Sequence, residues 1–191
     1  MLEALIIKAK ALLLAALVTI GLQPIPSPVI NPRLSGTIPQ EITFTPELHK
    51  LAEDIRNLQP GQHIDLHINS LGGIVAAGED VVHAMENTKG IVDCHIHGIA
   101  ASMAATISTY CDTLTTTPNS IVLVHTVRME GMFGVIIYAD PKSPEANQFR
   151  ELFRPFLTPD ELAAAFDGPH ADIMIPGPEF VKRFNKVKGI E

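Results

Sequence analysis

From Arg33 to the carboxyl end, short runs with the two-residue period of a strand alternate with runs of helical period, joined by short connections. Arg33–Ile38 predicts a strand. Pro46–Leu58 predicts a helix with Leu48, Leu51, Ile55 and Leu58 on one face. His63–Asn69 alternates as a strand, turning Ile64, Leu66 and Ile68 to one side. Next come a helix over Ala76–Met85, a strand over Ile91–His97, a helix over Ser102–Tyr110 and a buried strand over Ile121–Val124. Thr126–Tyr138 lacks a clear period and reads as a hairpin. Pro144–Phe156 and Pro159–Phe166 read as helices, Asp172–Ile175 as a short strand, and a last helix starts at Pro178. Repeated strand–helix units of this kind specify an α/β fold, with helices layered on a sheet. The chain has 191 residues, enough to bury a core without disulfide or metal staples.

Composition narrows the function classes. The net charge is −7, which disfavours a protein that reads nucleic-acid phosphates. With no tryptophan and two tyrosines, base-stacking platforms are scarce as well. A basic run closes the chain (Lys182, Arg183, Lys186, Lys188) and reads as a solvated helix face. Charged residues make up 18%, against roughly 25% in an ordinary soluble domain. Extensive subunit contact accounts for such a shortfall. Cys94 and Cys111 lie 17 apart in apolar surroundings, with neither a C-x-x-C pair nor zinc spacing. They read as two buried free thiols, which suits a reducing compartment.

Residues 1–32 form a separate apolar segment and proline-rich linker ahead of a domain over 33–191. Lys8 and Lys10 precede the twelve-residue apolar run 11–22, and Pro24, Pro26 and Pro28 break any helix it starts. The run is shorter than the ~20 residues of a spanning helix. A basic flank before a short apolar core resembles a secretory signal, yet no Ala-x-Ala cleavage site stands after it. A helix packed on a neighbouring subunit is the equal alternative. The expected location is cytoplasmic, with membrane association or export as the alternative that this segment keeps open.

Several chemical signatures are absent: a Walker A loop, H-E-x-x-H, and the G-x-S-x-G elbow. His95 and His97 share a strand face, as do His63 and His67, but no third ligand stands near, and no metal site is expected. Two strand-to-helix junctions are more informative. In Ile68-Asn69-Ser70-Leu71-Gly72-Gly73 the paired glycines let a ligand approach the backbone and leave amide protons outward. In Gly98-Ile99-Ala100-Ala101-Ser102-Met103-Ala104-Ala105, Ser102 falls at a helix start, where a serine by itself is an N-cap. His125 lies 23 residues beyond Ser102 at a strand end, and the carboxylate of Asp172 lies 47 further on.

Ile68–Gly73, Ala77–Gly78, Gly98–Met103 and Pro118–His125 together resemble the proteolytic subunit of the Clp protease, a likeness extending over residues 33–185. The resemblance implies a ClpP/crotonase-like α/β fold of repeated strand–strand–helix units with a protruding handle formed by a hairpin and helix. It implies a serine endopeptidase acting on unfolded chains inside a homo-oligomeric ring. No cofactor is implied, since ATP would enter only through a separate AAA+ unfoldase. Ser102 becomes the nucleophile, His125 the general base and acid, and Asp172 the residue that orients the imidazole. The amides of Gly73 and Met103 become the oxyanion hole, and Gly72, Gly73 and Ile74 the strand-pairing surface for a peptide. Asp160 and Asp167 lie in the same part of the chain. Asp160 reads as the acidic first turn of a helix, and Asp167 as a turn residue before Gly168-Pro169.

The departures mark a divergent member, of the sort carried by phages. Leu71 replaces the family's proline before the glycine pair, and Thr126-Val127 stand after His125 in place of Gln-Pro. The glycine-rich stretch beyond is reduced to Gly131 and Gly134, and the closing Tyr-Gly-Leu signature is missing. Three other readings compete with the favoured one. A membrane-associated signal-peptide-peptidase-like enzyme would need a Ser–Lys dyad, and Lys89 is the one lysine between His63 and His125. An inactive ring or scaffold subunit and a crotonase-type acyl-CoA enzyme have no need of the Ser/His/Asp set.

Overall fold

The computed structural model describes residues 33–130, 136–168 and 172–190. The apolar run, the proline-rich linker, Gly131 and Gly134 lie outside them. Eight strands are present among the described residues: β1 (Leu34–Ile38), β2 (His63–Ser70), β3 (Ile91–Ala101), β4 (Thr113–Thr116), β5 (Ile121–Val124), β6 (Arg128–Glu130), β7 (Ile136–Tyr138) and β8 (Ile173–Pro176). The helices are α1 (Pro46–Arg56), α2 (Val75–Asn87), α3 (Met103–Thr109), α4 (Pro144–Phe153), α5 (Pro159–Leu162) and α6 (Gly177–Lys188). The main sheet runs β1-β2-β3-β5-β8. It is parallel through β5, and β8 joins antiparallel. A parallel-dominated sheet with helices is the α/β architecture that the strand–helix alternation predicts.

Local chemistry explains the elements. Thr45 caps α1 by accepting from the Leu48 amide at 3.2 Å, and Pro46 and Glu47 fill the first turn. Leu48, Leu51, Ala52 and Ile55 are then the buried stripe, spaced three and four apart. In β2 the alternation is clean, with Ile64, Leu66, Ile68 and Ser70 buried. The opposite face of β2 and β3 is polar. There Arg33 bonds to Asp65 and Asp93, His63 to Asp93 at 2.7 Å, and His95 to Asp65 at 3.0 Å. Arg33 and His95 hold the Asp65 carboxyl well below the usual carboxylate range. His67 and His97 share a 2.8 Å hydrogen bond. Among the described residues no group of three or more His, Cys, Asp or Glu is arranged to hold a metal.

Strand β3 is forked. Its first half, Asp93–Ile96, pairs with β4, and its second half, Ile99–Ala101, pairs with β5 on the same edge. Periodicity does not reveal β4, because Thr-Leu-Thr-Thr buries one residue, Leu114. The segment after Thr158 also differs from a plain helix. The Thr158/Glu161 capping box starts α5, but the chain widens into a π-helix over Ala163–Asp167. The basic run on α6 is only partly a solvated face, since Arg183 bonds to Glu161 at 2.7 Å and to the Phe156 carbonyl at 3.1 Å.

The reading of Cys94 and Cys111 as free thiols is overturned. They form a disulfide, with Cα atoms 5.9 Å apart. Cys94 points from β3 into the core and Cys111 ends the turn after α3, so the helix returns its end to the strand that precedes it. A separation of 17 along the chain conceals that return. The inference of a reducing compartment falls with the free thiols. Among the described residues no helix is long and apolar enough to cross a membrane.

Candidate active site

The carboxyl ends of β2, β3 and β5 meet along one edge, where open α/β sheets hold their ligands. Each end carries one of the segments singled out by sequence. β2 runs into Leu71-Gly72-Gly73, β3 into Ser102, and β5 into His125.

Ser102 is the one described non-glycine residue at positive φ, with φ 55° and ψ −122°. Such a conformation costs on the order of 1–3 kcal/mol and persists only where its surroundings enforce it. Here the Ser102 amide donates to the Leu123 carbonyl at 2.9 Å, and the Thr106 amide donates to the Ser102 carbonyl at 3.1 Å. The side chain makes no capping bond to α3, so the N-cap explanation of this serine is not met. The positive φ is therefore not a by-product of the side chain closing the helix.

Gly72 packs directly beneath this turn, at φ 86°. A Cβ there would stand 2.7 Å from the Ser102 Cβ and 2.9 Å from the Met103 nitrogen. Gly73, at φ 147°, lies against Ile42. Ile42 donates to the Gly72 carbonyl at 2.7 Å and accepts from the Ile74 amide at 2.8 Å. This parallel bridge uses both neighbours of Gly73 and leaves its own amide on the opposite edge. The Ile74 amide is therefore occupied, and α2 begins at Val75, so Gly73 is the part of this segment with a free edge. Ile74 contributes its exposed side chain. Gly78, the glycine of the Ala77–Gly78 pair, gives room to the buried Met103 side chain.

The Nδ1–H of His125 donates to the Thr126 carbonyl at 2.6 Å. A carbonyl can only accept, so this bond fixes the tautomer and leaves Nε2 as a base. Burial is the main influence that pushes the His125 pKa down. The Arg128 charge adds to it, while the Thr126 carbonyl and the Asp172 charge oppose it.

Asp172 is placed by the sheet. The β5–β8 ladder ends with Val124 paired to Ile173, the immediate neighbours of His125 and Asp172. The carboxylate nevertheless bonds to Arg128 at 3.0 Å, and the His125 ring bonds to the Thr126 carbonyl instead. Of the other two acids, Asp160 is in the first turn of α5 and Asp167 pairs with Arg150 at 2.8 Å.

Gly73, Ser102, Met103 and His125 line a small pocket together, with Val75, Thr106 and Phe149 among its walls. It adjoins a groove of about 750 Å³ that also holds Gly73, Ser102 and His125, bounded by Leu71, Ile74 and Met129. Arg128 borders both and is, among the described residues, the one arginine or lysine that lines either. Sequence reasoning passes over it; its place three residues after His125 is the available signal. Lys89 sits in the turn after α2 and lines neither.

Residues 45–137 match the family model described as Clp protease. The matched stretch includes the glycine pair, Ser102 and His125 and stops before Asp172.

Proposed function

Because the chain belongs to the Clp protease family, a family of peptidases, we propose that it is a serine endopeptidase in which Ser102, His125 and Asp172 act as the triad. The single observation that carries this reading is the positive-φ Ser102, free of any cap, at the edge of a groove that also holds His125. His125 Nε2 takes the Ser102 proton as Oγ attacks the scissile carbonyl carbon. The carbonyl π pair moves onto oxygen, which the Gly73 and Met103 amides stabilise. Collapse re-forms the carbonyl, breaks the C–N bond, and passes the His125 proton to the leaving amine. Water, deprotonated by the same imidazole, then releases the acyl group and restores Ser102. An extended peptide pairs with the free edge of Gly73 and lies across Ile74.

The working form is a homo-oligomeric ring with enclosed sites, fed by a separate unfoldase that alone consumes ATP. Support comes from the low charged fraction and from exposed apolar side chains at Met129, Ile136 and Ile137 on the β6–β7 hairpin. Light scattering should return a mass many times 20.7 kDa. An active monomer would remove the chamber from the proposal.

The decisive experiment is labelling with a fluorophosphonate, comparing the wild type with Ser102→Ala. Labelling of the wild type alone supports the peptidase. An unlabelled wild type overturns it in favour of a scaffold or an acyl-CoA enzyme, and equal labelling of Ser102→Ala removes Ser102 as the nucleophile.

A further inference from the structure

We propose that Arg128 is the receptor for a carboxylate on the peptide substrate, and that a peptide which takes Arg128 releases Asp172 to His125. The inference rests on the peptidase reading and adds a substrate class to it: chains with an acidic residue next to the bond that is cut.

Three observations converge. Arg128 borders both the small pocket beside Ser102 and the groove, where Glu41 is the one acidic side chain among the described residues. The remaining walls are dominated by apolar side chains such as Leu71, Ile74, Val75 and Met129. A guanidinium beside apolar walls offers a planar carboxylate a two-pronged, geometrically specific partner. Its present partner is Asp172, and that pair is well exposed, with the two side chains 33% and 41% accessible. Exposed ion pairs hold weakly, so an incoming carboxylate can exchange with Asp172. Finally, the β5–β8 ladder ends with Val124 paired to Ile173, the residues next to His125 and Asp172, so the released carboxylate starts close to the imidazole in the fold. Arg128 and Asp172 both act on the His125 charge, and in opposite senses. Moving Arg128 to the substrate and Asp172 to the imidazole therefore strengthens the base when an acidic peptide is in place.

The test uses the full chain in its assembled form and a set of peptides identical except at the two positions on each side of the scissile bond. Glutamate, glutamine and lysine are compared at each. At one of these positions kcat/KM for glutamate should exceed that for glutamine at least tenfold, with lysine poorest. Arg128→Gln should abolish the ratio and raise kcat for the glutamine peptide, because Asp172 loses its competing partner. Arg128→Lys should restore part of the glutamate preference. Equal rates for glutamate and glutamine in the wild type overturn the inference, as does a ratio or a glutamine kcat that Arg128→Gln leaves unchanged. Fluorophosphonate labelling of the same preparations separates the two levels. Labelled, active enzyme without acidic preference removes only the role of Arg128, whereas absence of both labelling and cleavage removes the peptidase reading with it.

Discussion

A Cβ on Gly72 would lie 2.7 Å from the Cβ of Ser102, a separation that real side chains do not tolerate. The glycine and the serine thus form one turn-on-turn contact, and neither can change shape alone. Gly72→Ala should lower peptide turnover at least ~10²-fold, since misplacing a reacting group by about 1 Å has that effect. Strain at φ 86° should also cost about 1–3 kcal/mol of stability. Steady-state rates and a thermal melt on the same variant check both. Wild-type turnover in Gly72→Ala would mean that Ser102 does not depend on this support.

The three acids near the carboxyl end should differ sharply. Asp172→Asn should reduce turnover by about 10²-fold. A serine-protease template with the wrong histidine tautomer loses ~10⁴, but here the Thr126 carbonyl still holds Nδ1–H. Asp160→Asn and Asp167→Asn should stay within a factor of a few, losing at most a cap or a surface pair of ~1 kcal/mol. One peptide at one pH, with assembly checked for each variant, decides the order. Loss in Asp167→Asn alone would place the third member elsewhere.

The acid limb of the rate profile follows from His125. Its neutral form is the base, and burial favours that form, so kcat/KM should fall only below the ~6.5 of a free imidazole. Arg128→Gln removes a charge that depresses the pKa and should move the midpoint up. Asp172→Asn removes one that raises it and should move the midpoint down. A midpoint that both variants leave in place would sever these charges from the reacting imidazole.

The Cys94–Cys111 bridge closes a loop that contains Ser102. A loop of this length constrains the unfolded chain by about 3 kcal/mol. For a domain of this size the paired substitution Cys94→Ala, Cys111→Ala should lower Tm by roughly 6–12 °C. Calorimetry of that double variant against the oxidised wild type measures it. An unchanged Tm would show that packing alone carries this corner of the core.

Much of the fold is legible because most helices and strands state their own period. Leu48, Leu51 and Ile55 can only be a helix face, and Ile64, Leu66 and Ile68 only a strand face. Elements whose identity depends on neighbours are not legible. Thr113–Thr116 becomes a strand because β3 offers it a free edge, and Ala163–Asp167 widens into a π-helix within a plain alanine run. Cys94 and Cys111 meet only once α3 has folded back. In the site, the two junctions stand out because glycine and small residues at strand ends signal tight turns. Ser102, His125, Gly73 and Met103 do share one pocket. The strained φ of Ser102 and the Asp172–Arg128 pair are relations across about 20 residues or more of chain, through Leu123 in one case and the β5–β8 ladder in the other. No local pattern encodes them.

The fork in β3 has a consequence for how this chain can be altered. The half of the strand that ends in Ser102 is flanked by β2 and β5, while β4 touches only the half that begins near Asp93. The connection between the two tines passes through Pro118 and Asn119, both at the surface. Extra residues grafted there would lengthen a bridge between tines without lying under the hydroxyl-bearing end. That junction is where a reporter peptide or an affinity handle could be spliced into the working enzyme.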